Sequence, residues 1–321
     1  MIDKVVLLDK AVTLGQIYGS KTDTVVYTQG VGLSARLRLE KLGYFTGAKD
    51  FALDFYNELM NGRINKEDKD WKNDNRSGIL WLDDLFEIIN EKNIIDPIIF
   101  QSDKFIDSQN SILDPNIQVE DQFFVSALLG RAYKHTKDEK YTKFISSHIL
   151  DSPLQREDGI YIHSNVAPFT WGRGNGFATY GATEAINYMK DSKYLDEIIN
   201  KHYSHIDSLI KYQTINGAWR QIIDDENSYE ELTSTCMIGY SLASGIKLGY
   251  FPEKYMEIVE KAWNFVDNNI ENTGVVHESC TGTGSLQKLS DYLIRKRENG
   301  FDNRGGSLAA WFLVSIYELE G

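Results

Sequence analysis

The apolar residues of this chain recur mostly at the three- and four-residue intervals of a helix. In residues 195–210, and again in residues 256–270, a series of apolar side chains falls on one helical face. Residues 31–39 alternate apolar and polar positions instead, which by itself favours a strand. Because this segment lies within a repeating helical pattern, we predict a helix there too and an all-α protein.

The repeat consists of polar turns followed by a lysine and an aromatic residue. The pentapeptide Lys-Leu-Gly-Tyr-Phe occurs at residues 41–45 and again at residues 247–251, and shorter versions follow other turns. Each turn ends one helix with a glycine or polar cap and begins the next with a ring. The spacing predicts five to seven helix pairs. No linker divides them, so we predict one domain over residues 1–321 whose aromatic-rich loops surround a central cavity in a closed toroid.

Composition and charge narrow the classes of partner. The chain is 42% hydrophobic and 25% charged, and no apolar run is long enough to cross a bilayer. A net charge of −13 opposes binding to nucleic acid, because the phosphates would be repelled. The first residues lack the layout of a secretory signal, so we expect a cytoplasmic protein, or a periplasmic one if a leader was removed. Cys236 and Cys280 suggest two packed thiols.

The most unusual segment is residues 171–177, Trp-Gly-Arg-Gly-Asn-Gly-Phe. Alternating glycines are kept where the backbone must approach something closely. Trp171 and Phe177 offer apolar faces, Arg173 offers a planar fork of donors suited to a carboxylate, and Asn175 offers a donor and an acceptor. We predict a loop that faces an acidic sugar. A tight turn before the following apolar run is the alternative.

Acids and one histidine supply the candidate chemistry. Asp121 precedes a strongly apolar helix, where aromatic neighbours would help a carboxyl hold a proton near neutral pH; an N-cap is the alternative. Asp83 and Asp84 begin another apolar run, so one would cap a helix and the other would face a cavity, unless both are solvated caps. His163 lies shortly before the 171–177 segment and is placed to contact a ligand.

We predict neither a metal nor an organic cofactor. His202 and His205 are three residues apart on a predicted helix, but no third ligand is evident. The glycines of residues 171–177 lack the strand and helix context of a nucleotide loop.

Together the motifs resemble the unsaturated uronyl hydrolases of glycoside hydrolase families 88 and 105, the latter more closely. Residues 171–177 match the family pattern W-x-R-G-N-G-W except at the last aromatic, residues 82–84 match its L-D-D element, and residues 121–125 match its aspartate followed by apolar residues. The resemblance implies an (α/α)6 barrel, a toroid of six helical hairpins. It also implies a hydrolase that removes a 4,5-unsaturated uronic acid from the non-reducing end of small anionic oligosaccharides left by polysaccharide lyases.

The resemblance assigns roles to particular residues. Asp121 matches the aspartate that protonates C4 of the alkene and then helps water to add at C5, and Asp84, rather than Asp83, matches a second acid. The residues predicted to bind substrate are His163, Trp171, Arg173, Asn175, Phe177 and Asp83. Two departures, Val119 and Phe177 where the family has tryptophan, leave the exact substrate open.

Two other functions stay open at this point. One is an inverting glycosidase on a saturated substrate, with Asp83 or Asp84 as base and Asp121 as acid. The other is an inactive sugar-binding homologue. In each, the protein is a monomer or homodimer that binds a small oligosaccharide.

Overall fold

The computed structural model describes residues 2–62, 71–108 and 117–320, and within these ranges the protein is predominantly helical. The first seven helices are α1 (Lys4–Ile17), α2 (Tyr27–Lys41), α3 (Ala48–Met60), α4 (Asn73–Arg76), α5 (Trp81–Ile89), α6 (Asp96–Ser108) and α7 (Asp121–Thr136). The remaining seven are α8 (Glu139–Leu150), α9 (Gly172–Tyr188), α10 (Leu195–Ile210), α11 (Leu232–Lys247), α12 (Met256–Asn268), α13 (Leu289–Leu293) and α14 (Asn303–Glu320).

Twelve of these helices form two concentric rings. The inner ring consists of α2, α5, α7, α9, α11 and α14, and α14 packs against α2 to close it. The outer ring consists of α1, α3, α6, α8, α10 and α12, and each outer helix is followed along the chain by its inner partner. This arrangement is the predicted toroid of six helical hairpins.

Burial explains why the two rings have different sequence patterns. Helices α10 and α12 in the outer ring bury one apolar face, as their periodicity predicts. The inner helices are buried on nearly every side. Their apolar residues are therefore not confined to one face, and the spacing of these residues does not identify a buried face. In α2, Ser34 and Arg36 are buried along with Leu33, Ala35 and their apolar neighbours. The alternating residues 31–39 therefore form a helix, as predicted, although their pattern alone favours a strand.

A belt of polar contacts joins the first turn of α5 to the middle and later turns of the other inner helices. Arg38 of α2 pairs with Asp84 of α5 at 3.1 Å, and Lys134 of α7 pairs with Asp83 at 2.9 Å. The guanidinium of Arg131 on α7 lies 2.6 Å from Glu184 on α9, with both side chains fully buried. These ion pairs link α2, α5, α7 and α9 in order.

Three further contacts complete this polar belt. The hydroxyl of Tyr240 on α11 donates to Glu184 at 3.2 Å, and Lys247 of α11 pairs with Glu318 of α14 at 2.9 Å. The indole of Trp311 on α14 donates to the Ser34 hydroxyl of α2 at 2.9 Å. Each neighbouring pair of inner helices is thus joined by at least one polar contact, because the sequence positions complementary groups on adjacent helices.

Two small antiparallel sheets lie beside the N-terminal ends of the inner helices. Strands β1 (Trp219–Arg220) and β2 (Glu230–Glu231) pair directly before α11, and β3 (Val276–Cys280) pairs with β4 (Arg297–Gly300) before α14.

None of the helices in the described ranges has the length and apolar character needed to cross a membrane.

Two buried histidines on α10 predict acid sensitivity. Burial lowers the pKa of His202 to about 3. Burial, together with electrostatic repulsion from His202 and Lys201, lowers the pKa of His205 well below 6.5. The unfolded chain binds a proton at each site near pH 6.5, whereas the folded protein keeps both rings neutral. The unfolded state therefore binds more protons, and the free energy of unfolding should fall as the pH drops from about 6.5 toward 3, by up to about 1.4 kcal/mol per histidine per pH unit.

Urea unfolding at several pH values would measure this dependence. In a His202→Gln variant the free energy of unfolding should depend less steeply on pH between pH 6 and pH 4. The slope should fall by about 1.4 kcal/mol per pH unit, which corresponds to one proton. An unchanged slope in that variant would show that His202 is protonated in the folded protein.

Candidate active site

A cavity of about 680 Å³ opens where the inner helices begin. Its wall includes the first residues of α2, α7 and α14 and the first turn of α9, and it contains Tyr27, Glu120, Asp121, Trp171, Arg173, Phe177 and Arg304. Helix N-termini carry partial positive charge, so this end of the barrel favours an anion. The wall also carries Lys72, Arg173 and Arg304 beside its acidic residues.

Asp121 is the first residue of α7 and lies on the cavity wall. Its Oδ1 accepts a hydrogen bond from the Asn73 side-chain amide at 2.8 Å, and its Oδ2 accepts one from the backbone N–H of Gln118 at 3.1 Å. The cap position of α7 is Glu120, so Asp121 does not occupy the alternative role of N-cap. The two donors orient a carboxylate that is reachable from the cavity.

The predicted loop at residues 171–177 is the start of helix α9. The glycines serve close packing: a Cβ at Gly172 would collide with the carbonyl oxygen of Arg220, and one at Gly176 would lie 2.8 Å from Met237. Their alternation therefore reflects the crowding around an inner helix. The prediction of a loop was wrong, although the segment does reach the cavity.

Trp171 and Phe177 contribute to the apolar part of the cavity wall, together with Phe124. Both are 2% exposed, and the Phe177 ring packs against Tyr27 and Phe124 at centroid distances of 5.3 and 5.4 Å. The indole Nε1 of Trp171 is buried and has no hydrogen-bond partner in the described structure. These positions suit the predicted contact with a sugar, which stays a prediction.

Arg173 has its fork of donors already engaged. Its Nη1 donates to the Cys280 carbonyl at 2.5 Å and its Nη2 donates to the Thr281 carbonyl at 2.8 Å, while the buried carboxylate of Glu231 lies close enough to stabilise its charge. Arg173 reaches the cavity wall, but it holds the end of β3 against α9. The predicted bidentate grip on a substrate carboxylate stays a prediction: Nη1 and Nη2 each donate to one backbone carbonyl, and Nε is buried without a hydrogen-bond partner in the described structure.

This arrangement changes what Arg173→Lys should do. Lysine keeps the charge but cannot bond two successive carbonyls in the plane of a guanidinium. We expect the free energy of unfolding to fall by about 2 kcal/mol, since one charge-assisted hydrogen bond is lost in a buried place. Urea unfolding measures this; a variant as stable as the wild type would mean that the two carbonyl contacts contribute nothing.

Asn175 and His163 do not face the cavity. The Asn175 amide is fully buried and bonds the backbone N–H and carbonyl of Tyr161, at 2.9 Å each, and the ring of His205 at 3.0 Å. His163 is also fully buried, and its Nδ1 lies 2.5 Å from the Tyr292 hydroxyl. Both were predicted to bind substrate directly; the structure instead places them behind the cavity wall.

Asp83 and Asp84 lie at the other end of the barrel. Their partners include Lys134, about 20 Å along α7 from Asp121 at 1.5 Å per residue, and Asp84 lines a separate cavity of about 520 Å³. Burial would raise the pKa of Asp83, but the His135 hydrogen bond and the charges of Arg131 and Lys134 outweigh it and lower that pKa. Burial dominates at Asp84 and raises its pKa.

The predicted partnership of Asp121 with Asp84, and substrate binding by Asp83, are therefore contradicted. The inverting glycosidase loses its proposed base as well, because its two carboxyl groups should be about 6.5–9.5 Å apart. The two aspartates belong to the polar belt of the inner helices.

Several cavity residues were missed in the sequence. Asn73, Asp74, Phe301 and Arg304 line the cavity, and the guanidinium of Arg304 pairs with Asp302 at 3.2 Å. No spacing rule links them to Asp121, because they come from α4, from the segment directly before α14 and from the first turn of α14. Glu120 did have a signal, since it precedes Asp121 directly, but the sequence alone did not distinguish its role.

Comparisons with known proteins agree with this fold. The sequence profile of Glycosyl Hydrolase Family 88 matches residues 163–320. The unsaturated rhamnogalacturonyl hydrolase YesR of Bacillus subtilis (strain 168) is 28% identical over 173 residues, which are 53% of this chain and 45% of that protein. The match thus spans less than half of the relative's length.

Solved structures that are similar to this chain cover almost all of it. A glycoside hydrolase of family 105 from C. acetobutylicum ATCC 824 has a TM-score of 0.82 and 18% identity, covering 99% of each chain. An unsaturated glucuronyl hydrolase variant from Streptococcus agalactiae, complexed with dGlcA-GalNAc6S, has a TM-score of 0.72 and 16% identity, covering 99% of this chain and 93% of that one. This chain shares their fold, an (α/α)6 barrel. The predicted resemblance to the unsaturated uronyl hydrolases of glycoside hydrolase families 88 and 105 is confirmed.

Proposed function

We propose that this protein is a glycoside hydrolase that removes a 4,5-unsaturated uronic acid from the non-reducing end of oligosaccharides produced by polysaccharide lyases. The observation that carries the proposal is the Asp121 carboxylate, held by Asn73 and Gln118 on the wall of a cavity at the helix N-termini. The named relatives support the substrate class: one is a rhamnogalacturonyl hydrolase, and another is complexed with dGlcA-GalNAc6S.

The chemistry needs a proton donor, a water molecule and an environment that favours an anion. The C4=C5 bond of such a sugar is a vinyl ether conjugated to a carboxylate, so protonation at C4 leaves positive charge at C5 that the ring oxygen shares. Asp121 is placed to give this proton. Water adds at C5, and the hemiketal then opens and releases the next sugar.

The cavity suits a substrate of this kind. The N-termini of α2, α7, α9 and α14 favour the uronate charge, and Arg304 supplies a cation on the wall. Trp171 and Phe177 give the ring an apolar surface. We keep the cytoplasmic location, the single domain and the monomeric or dimeric state as predictions from the sequence.

A panel of disaccharides made by different polysaccharide lyases tests the proposal. Hydrolysis should remove the ultraviolet absorbance of the conjugated alkene, and the same sugars with a saturated uronate should not react. Turnover of the saturated series alone would identify an ordinary glycosidase. Binding without loss of absorbance would identify the sugar-binding homologue.

A further inference from the structure

We propose that Glu120 is a second active-site carboxylate and that it accepts a proton from the water that adds to the substrate. His163 and Tyr292 are then positioning residues for Glu120. This inference rests on the proposed hydrolase function and assigns to Glu120 the water-activating step that the motifs gave to Asp121.

The placement of Glu120 is the first observation. It directly precedes Asp121 at the start of α7, and both residues line the same cavity. The Glu120 side chain is only 14% exposed, so its carboxylate is largely shielded from bulk water while remaining on the cavity wall. A carboxylate in such a place binds a single water more strongly than one on an open surface would.

A directed series of hydrogen bonds behind the wall is the second observation. The backbone N–H of Leu286 donates to the Tyr292 hydroxyl oxygen at 3.2 Å. The hydroxyl proton of Tyr292 is then free to donate to His163 Nδ1, 2.5 Å away. This bond leaves the proton of the neutral imidazole on Nε2, which lies 3.4 Å from both carboxylate oxygens of Glu120.

Burial keeps this series in place. His163 and Tyr292 are both fully buried, so water does not compete for their hydrogen bonds. Burial and the nearby Glu120 charge raise the pKa of Tyr292 to about 12, which keeps its hydroxyl protonated at neutral pH. The His163 N–H therefore points at the Glu120 carboxylate and orients it.

The proposed step balances with two acids in separate roles. Asp121 transfers its proton to C4, the water oxygen bonds to C5, and one water proton passes to Glu120. The hemiketal then opens by breaking the bond between C5 and the ring oxygen, and the neighbouring sugar leaves from C1. Glu120 loses its proton to solvent and Asp121 regains one, which restores the starting state.

Three variants test the assignment on a disaccharide that the wild-type enzyme hydrolyses. Glu120→Gln should lower kcat by about a hundredfold with little change in KM, since acid–base residues contribute roughly 10²–10⁴. In Glu120→Ala, added formate should restore part of the lost kcat by acting as a base. Tyr292→Phe keeps the ring but removes the hydroxyl, and it should lower kcat severalfold without raising KM. The exposed Glu226→Gln serves as control and should match the wild type.

The outcomes separate this inference from the proposed function. If the wild type hydrolyses no unsaturated disaccharide, the proposed function itself fails. If the wild type is active and Glu120→Gln keeps its kcat, or raises only KM without formate rescue, then Glu120 is not the water-activating group. A Tyr292→Phe variant with unchanged kcat would remove the positioning role of the buried series.

Discussion

Replacing Asp121 with asparagine is expected to lower kcat by about a thousandfold or more. Asparagine keeps the shape of the side chain but cannot donate a proton to the alkene carbon, and general acid–base groups contribute roughly 10²–10⁴. The hydrogen bond from Asn73 would still find an oxygen acceptor in the amide. KM should therefore change little, and loss of alkene absorbance over time gives both constants.

Two further measurements distinguish a chemical role from a structural one. In heavy water the wild type should place deuterium at C4 of the released keto acid, because the donor exchanges with solvent. The exposed Asp196→Asn variant provides a matched control and should keep full activity. If the asparagine variant at position 121 turns over normally, or if unfolding is its only defect, Asp121 is not the proton donor.

The largest effect on stability is expected from Glu184→Gln. The Glu184 carboxylate is fully buried between the Arg131 guanidinium, at 2.6 Å, and the Tyr240 hydroxyl, at 3.2 Å. Removing its charge leaves Arg131 buried without its counterion, and breaking such a pair costs about 3–5 kcal/mol. We expect a loss of this size in the free energy of unfolding, measured by urea denaturation.

Two comparisons make this prediction specific. The Lys211–Asp207 pair is exposed, so Asp207→Asn should cost under about 1 kcal/mol. Replacing both Arg131 and Glu184 with methionine should recover much of the stability lost in Glu184→Gln, because no unpaired charge is then buried. A Glu184→Gln variant as stable as the wild type would mean that Arg131 has another adequate counterion.

The helical pattern and the motif around Asp121 illustrate how far local sequence reasoning reached. Helical periodicity and repeated turns predicted an all-helical toroid, because amphipathic spacing is a local property that each outer helix carries by itself. The motif around Asp121 was likewise local, since an acid directly before a run of apolar residues indicates where a buried helix begins. Trp171 and Phe177 also reached the cavity, although their segment proved to be helical.

The roles of Arg173, Asn175 and His163 depended on distant residues. The partners of Arg173 are the carbonyls at positions 280 and 281, and His163 is bonded by Tyr292. A polar side chain will form a hydrogen bond wherever burial removes water, whether the partner is a ligand or the backbone. The composition of residues 171–177 showed that such groups were present but not which partner they had.

What the sequence by itself determined is the helical class, a repeated hairpin pattern of five to seven helix pairs, and the acid that begins α7. Only the tertiary structure decided which end of the barrel each acid occupies. Asp83 and Asp84 begin α5 as Asp121 begins α7, yet the first two join the polar belt and the third faces the cavity. The difference arises because α5 packs beside the later turns of α2 and α7, where Arg38, Lys134 and His135 supply complementary charges and hydrogen bonds.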